Sequence, residues 1–301
     1  MKHWDVVVIG GGPAGLACAL WLGRYQRNVI VFDTAQPRNE PAWAVHGYPG
    51  LLDPGPTELR TRLRRQARTA GALFELDEVS SVNGEKDGFR VETRGGIRGH
   101  ARRVVLGFGL RDHLPDIPGM LEHYGTAVFH CPDCDGPEAA DRAVGVIGWD
   151  RAAANLGLYL LHWSGRVTLL THGREPELDP GQRAALEQNG VLLNTAAIAR
   201  LDTSESALRG VCFADGTTLP FERIFFHLGN EPSCTIGSEL GCETDSEGYL
   251  EVDRGQQTSV PGVYAVGDIT GHPHLTITAA AEGVRAALGI HRSLLPDDRL
   301  I

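Results

Sequence analysis

The sequence predicts an α/β chain built from two nucleotide-binding units, the second inserted into the first. Three stretches carry that prediction. An apolar strand runs into a glycine turn and a helix at residues 5–22, a second strand–glycine–helix–strand series begins at Ala143, and a late apolar strand ends in Gly267-Asp268. With 301 residues, the chain is long enough for two cores.

Residues 5–9 (Asp-Val-Val-Val-Ile) read as a buried parallel strand. The turn Gly10-Gly11-Gly12-Pro13-Ala14-Gly15 then opens an apolar helix, Leu16 to Leu22. Its glycines allow a tight turn and let the backbone approach a pyrophosphate seated on the helix N-terminus. A second strand, Asn28 to Phe32, ends in Asp33, 18 residues after Gly15, where a carboxylate meets a ribose hydroxyl. In that strand–turn–helix–strand–acid context the glycine signature predicts a bound dinucleotide.

A turn-rich loop follows, with Pro37-Arg38-Asn39 and Tyr48-Pro49-Gly50. Leu59 to Ala70 reads as a helix bearing Arg60, Arg62, Arg64, Arg65 and Arg68, either a solvated face or a patch for an acidic partner. Strands and hairpins run to Val105, and a Pro-rich crossing from Leu114 to Gly119 marks the first boundary. The inserted unit has a strand at Ala143–Ile147, a helix from Arg151 to Leu161 and a strand at Arg166–Leu170. It closes with strands around Leu201, Val211 and 221–228. The chain then returns to the strand before Gly267-Asp268 and a helix starting near Thr276. The expected domains are 1–113 with 242–301, and 114–241.

The formal net charge of −10 weighs against nucleic acid or an anionic membrane as partner. No run is long and apolar enough to span a bilayer, and Asp5 with the glycine turn argues against a signal peptide, so a cytoplasmic setting is expected. Six cysteines are too sparse for a disulfide framework. Only Cys131 and Cys134, in His130-Cys131-Pro132-Asp133-Cys134-Asp135-Gly136, have redox spacing. A zinc half-site is the competing reading, but no second Cys-x-x-Cys exists to complete four ligands, and no metal is expected. Pro132 suits the first turn of a helix with Cys131 at its N-cap, where the helix dipole favours a thiolate. Asp135 is close enough in sequence to exchange a proton with a departing sulfur. His130 either tunes the thiols or is structural.

Taken together, Gly10 to Gly15, Pro37-Arg38-Asn39, Pro49-Gly50, Cys131 to Gly136, Thr258 to Gly262 and Gly267-Asp268 resemble the low-molecular-weight thioredoxin reductases over essentially the whole chain. The resemblance implies a homodimer of two Rossmann-like domains per subunit, one for FAD and an inserted pyridine-nucleotide domain carrying a redox-active disulfide. It implies Cys131 as interchange thiol, Cys134 facing the flavin and Asp135 as proton shuttle. FAD contacts fall on Gly10, Gly12, Pro13, Ala14, Gly15, Asp33, Arg38, Asn39, Gly267, Asp268, Thr276 and Ile277.

The chain departs from that family at its second nucleotide signature, which reads Gly148-Trp149-Asp150-Arg151-Ala152-Ala153. Asp150 stands where a glycine approaches the pyrophosphate, and Thr171-His172-Gly173 replaces the His-Arg-Arg run that grips a 2′-phosphate. A like charge near a phosphate costs about 4 kcal/mol, and each lost charge-assisted hydrogen bond ~1.5–3 kcal/mol. NADPH is therefore not expected as reductant. Relatives without these motifs use ferredoxin, a second flavin or molecular oxygen. The oxygen users usually carry His after the second cysteine, where this chain has Asp135. The substrate expected is a thioredoxin-like protein or a small dithiol or disulfide. The alternatives are an NADPH-dependent thioredoxin reductase and a non-catalytic flavin redox sensor.

Overall fold

The computed structural model describes residues 1–204 and 207–299. In chain order the elements before the first crossing are β1 (Lys2–Ile9), α1 (Pro13–Arg24), β2 (Val29–Asp33), α2 (Pro56–Thr69), β3 (Leu73–Leu76), β4 (Val79–Asn83), β5 (Phe89–Thr93) and β6 (Arg98–Leu106). There follow β7 (Leu110–Asp112), α3 (Met120–His123), β8 (Val128–Phe129), α4 (Pro132–Asp135), β9 (Ala143–Ile147), α5 (Arg151–Leu160), β10 (Arg166–Leu170), α6 (Pro180–Gln188) and β11 (Leu192–Asn194). The remainder are β12 (Ile198–Ser204), β13 (Ala207–Phe213), β14 (Thr218–Pro220), β15 (Arg223–Phe226), β16 (Asn230–Pro232), α7 (Ile236–Glu239), β17 (Val263–Ala265) and α8 (Thr276–Ser293).

Two compact units result. The first comprises Met1–Glu40, Gly47–Arg111 and Glu231–Ile301, and the second Pro41–His46 and Asp112–Asn230. These limits differ from the expected 113 and 242. The return comes earlier because Ile236 is buried in the first unit's core, with Cys234 and Leu240 packed on it. Residues 41–46 join the second unit because Trp43 N–H donates to the Gly125 carbonyl at 3.4 Å.

The first unit holds a sheet in the order β3-β2-β1-β6-β5-β4, with β17 on β6. Strands β1, β2, β3, β6 and β17 run parallel. Alternation along β1 divides the core. Val7 and Ile9 enter one cluster, Val6 and Val8 the other, beneath α1 and α8. Helix α8 meets α1 backbone to backbone. A Cβ on Gly283 would collide with the Ala14 carbonyl, and Ala279, Ala280, Ala286 and Ala287 line the same buried face. Gly283→Ala is accordingly expected to lower unfolding stability by about 2–4 kcal/mol, because two packed helices must part; urea denaturation followed by circular dichroism checks it.

The second unit contains an all-parallel sheet, β11-β10-β9-β15-β8, and an antiparallel ribbon, β12-β13-β14. Strands β9 and β10 are buried on both faces, as their unbroken apolar runs require, while the edge strand β11 is largely exposed. Both nucleotide-type turns thus lie at the carboxyl end of a central strand, Gly10 after β1 and Gly148 after β9.

Candidate functional site

In the first unit the turn after β1 has a form only glycine permits. Gly10 adopts φ +109°, and a Cβ there would strike the Gly107 carbonyl. Pro13 takes the first position of α1, one residue after Gly12, and no side chain caps the helix N-terminus. Space beside Gly12 is open for 4 Å. An uncapped, outward-facing helix start with its N–H groups unclaimed by side chains is suited to a pyrophosphate. Gly11 N–H donates to Asp33 Oδ1 at 3.2 Å, so the acid at the end of β2 is tied to the turn.

Other expected contacts gather around this turn. A Cβ on Gly267 would lie 3.1 Å from Ala14 Cβ, and Arg38 Nη1 pairs with Asp268 Oδ2 at 2.8 Å. Gly15 is buried in α1, Asn39 is half-buried in a turn, and Thr276 and Ile277 form the start of α8, which no side chain caps. Two participants were not singled out from sequence. Arg60, read as part of a surface patch, reaches Asp33 Oδ2 at 3.9 Å. Glu282, 1% exposed, accepts from Gly267 N–H at 2.7 Å and Thr270 Oγ1 at 3.2 Å. A lone Glu in an Ala-rich helix gives no sign of that role. These residues fit a dinucleotide.

The corresponding turn of the second unit is built differently. Asp150 is the N-cap of α5, its Oδ1 accepting from Ala153 N–H at 2.8 Å. The carboxylate takes a helix-start donor that a pyrophosphate would otherwise use. The Arg174 guanidinium stacks on the Trp149 ring, 3.8 Å from its centroid. Thr171 is buried and donates to the Arg174 carbonyl, while His172 Nδ1 accepts from Ile198 N–H at 3.0 Å. Trp149 is thus a half-buried ring clamped by arginine. These residues do not fit a dinucleotide phosphate.

The same unit carries the cysteine pair. Cys131 and Cys134 are joined by a disulfide, with Cα atoms 5.3 Å apart. Cys131 is the N-cap of α4, Pro132 follows at the first position, and Cys131 Sγ accepts from Cys134 N–H at 3.1 Å. Because α4 spans only four residues, its macrodipole is small. Local support for a Cys131 thiolate therefore comes from that single N–H rather than from a long helix. The remaining cysteines are not comparable. Burial pushes the thiols of Cys18 and Cys242 up, and that of Cys234 to about 11.

Burial pushes the Asp135 carboxyl up to about 6; His46 opposes the shift and Glu138 adds to it. A carboxyl whose folded value exceeds the ordinary one contributes stability fully present below about 3.8 and lost as pH rises through about 6. Asp135→Asn should therefore flatten the pH dependence of unfolding between those values by on the order of 1–3 kcal/mol. Urea midpoints measured at pH 4.5 and 7.5 check it.

His130 is not isolated. Its Nδ1 lies 2.9 Å from the Tyr124 hydroxyl and its Nε2 3.9 Å from Asp112 Oδ2. Those two partners, six and eighteen residues upstream in sequence, carry no local motif. On α5 the Tyr159 hydroxyl donates to Asp133 Oδ1 at 2.8 Å, a contact the sequence also leaves unannounced.

Residues 4–283 match the family model described as pyridine nucleotide-disulphide oxidoreductase. The thioredoxin reductase sirT of Leptosphaeria maculans is 30% identical over 317 residues, covering 98% of this chain and 95% of the relative. The thioredoxin reductase of Treponema pallidum is 30% identical over 299 residues, covering 94% and 95%. The crystal structure of HlmI superposes with a TM-score of 0.92 at 37% identity, covering 97% of this chain and 92% of that one.

Proposed function

This chain belongs to the pyridine nucleotide-disulphide oxidoreductase family, and on that premise we propose that it is an FAD-dependent thiol–disulfide oxidoreductase that does not draw electrons from NAD(P)H. Flavin-dependent disulfide chemistry is common to its thioredoxin reductase relatives. The observation that carries the narrower reading is Asp150, whose carboxylate already caps the helix start that a nicotinamide dinucleotide would need.

FAD would be held by the Gly10–Gly15 turn, Asp33, Arg38, Asn39, Gly267, Asp268, Thr276 and Ile277; when bound it supplies two-electron redox chemistry. Cys131 exchanges with the dithiol or disulfide substrate, and Cys134 serves the flavin side of the pair. The N–H of Cys134 stabilises negative charge on Cys131 Sγ when the disulfide opens. Asp135, with its carboxyl at about 6, holds or releases a proton near neutral pH. The substrate class is a small dithiol or a thioredoxin-like protein, and the working form a homodimer. Of the external electron partners, ferredoxin is disfavoured by the arginine helix: Arg60 and Arg62 are ion-paired, and Arg64 and Arg68 stack on Phe74.

The test is anaerobic titration of the flavoprotein, followed at the flavin absorbance. Bleaching by dithiothreitol, with NADPH inert, is the expected result. A flavin that no dithiol reduces would make the protein a redox sensor at most, and one bleached by micromolar NADPH an ordinary reductase.

A further inference from the structure

The residues that separate the two cysteines of a Cys-x-x-Cys pair act on both sulfurs, because a charge placed there alters the stability of the thiolate released when the disulfide opens. Here one of them is an acid. Asp133 is exposed on α4, and its carboxylate is met by the Tyr159 hydroxyl at 2.8 Å from the neighbouring helix α5. The hydrogen bond raises the Tyr159 phenol above its ordinary value, which keeps the donor protonated.

The contact is braced. Tyr159 packs edge-on against Trp163 at 5.6 Å, and His162 does the same at 5.0 Å. Trp163 in turn lies against Gly136, where a Cβ would fall 2.6 Å from its ring. Helix α5 and the turn that follows it thus grip the cysteine segment at Asp133 and behind Gly136. The same ten-residue helix is capped by Asp150, which closes the nucleotide-type turn.

Resting on the function proposed above, we infer that Tyr159 is a positioning residue that pins the Asp133 carboxylate and thereby sets the redox poise of Cys131 and Cys134. The hydroxyl proton draws charge density from the carboxylate and holds it in one orientation. Less of its negative charge then opposes a thiolate on the same one-turn helix. Other titratable groups around the pair are His130 before it, Asp135 on α4, Glu138 in the following turn, His46 from the 41–46 segment and His162 beyond α5. Tyr159→Phe leaves all five in place, so the double-mutant cycle cancels their contributions.

The experiment is a double-mutant cycle on the FAD-loaded protein with Tyr159→Phe and Asp133→Asn. Phenylalanine keeps the ring against Trp163 and removes only the donor. The pair is equilibrated with dithiothreitol: the Cys131–Cys134 bond breaks, the reagent's two thiols close to its cyclic disulfide, and two electrons and two protons pass. Reduced protein is then alkylated with iodoacetamide across pH 5–9. Tyr159→Phe should shift the alkylation midpoint to higher pH and make the disulfide about threefold harder to reduce, about 14 mV more negative at 29.6 mV per decade. In the Asp133→Asn background the same substitution should change neither.

An unshifted midpoint and exchange constant in Tyr159→Phe overturn the inference, as does an equal shift with and without Asp133. Wild-type circular dichroism and urea midpoints in each variant show that the fold is retained. The outcome is separable from that of the functional proposal: a cysteine pair that passes no electrons to flavin yet shows the coupling would refute the function and leave the Tyr159 assignment intact.

Discussion

Cys134→Ser should bind FAD at wild-type stoichiometry and lose substrate-driven flavin reduction by on the order of a thousandfold or more, the scale seen when one member of a covalent relay is removed. The geometry separates the two consequences. In the proposed reading FAD is held by the Gly10 turn, Asp33 and Asp268 in the first unit, and the substitution lies in the second. Serine preserves the backbone N–H that Cys131 Sγ accepts, so Cys131 stays reactive toward disulfides. What disappears is the second sulfur, and with it the path from substrate to flavin. Trapping of a mixed disulfide on Cys131, read by mass spectrometry alongside flavin absorbance, checks both halves. Undiminished turnover would remove the cysteine pair from the mechanism.

NADPH at concentrations that saturate ordinary reductases should leave the flavin oxidised, with bleaching roughly a thousandfold or more slower than with dithiothreitol. A phosphate approaching α5 meets the Asp150 carboxylate, a repulsion of about 4 kcal/mol near 4 Å at an effective dielectric of 20. It must also displace that carboxylate from Ala153 N–H, sacrificing a cap typically contributing ~0.5–2 kcal/mol. With the charge-assisted hydrogen bonds missing at 171–173, ~1.5–3 kcal/mol each, the discount for solvent and relaxation leaves about 4–6 kcal/mol, roughly a thousandfold or more in affinity. Arg174 offers no compensation while it is stacked on Trp149. Stopped-flow absorbance under anaerobic conditions measures the ratio directly. Comparable rates with the two reductants would show that the second unit binds the dinucleotide despite Asp150.

Local patterns made much of this protein readable from its residues. The strand at Ala143–Ile147 and that at Arg166–Leu170 lie where apolar runs bounded by turn residues place them. Helix α2 starts at Pro56 rather than Leu59, because a proline is accepted at a first helical turn that hydrophobic periodicity does not mark. The glycine turn, the acid at the end of β2 and the Cys-x-x-Cys pair are equally local, each defined by residue types a few positions apart.

The tertiary structure decided what depends on groups distant in sequence. Glu282 beneath Gly267, Arg60 beside Asp33, and Tyr124 and Asp112 around His130 have no periodicity or spacing to announce them. Asp150 was legible as a misplaced charge, but only the helix start it caps shows that the charge is already engaged. The α5 helix likewise read as a plain element until folding brought Tyr159 to Asp133 across 26 residues. Sequence determined the parts whose physics is confined to one turn or one strand. Packing determined burial and partnership, and it is these that place the Asp135 carboxyl at about 6 and the Tyr159 hydroxyl on Asp133.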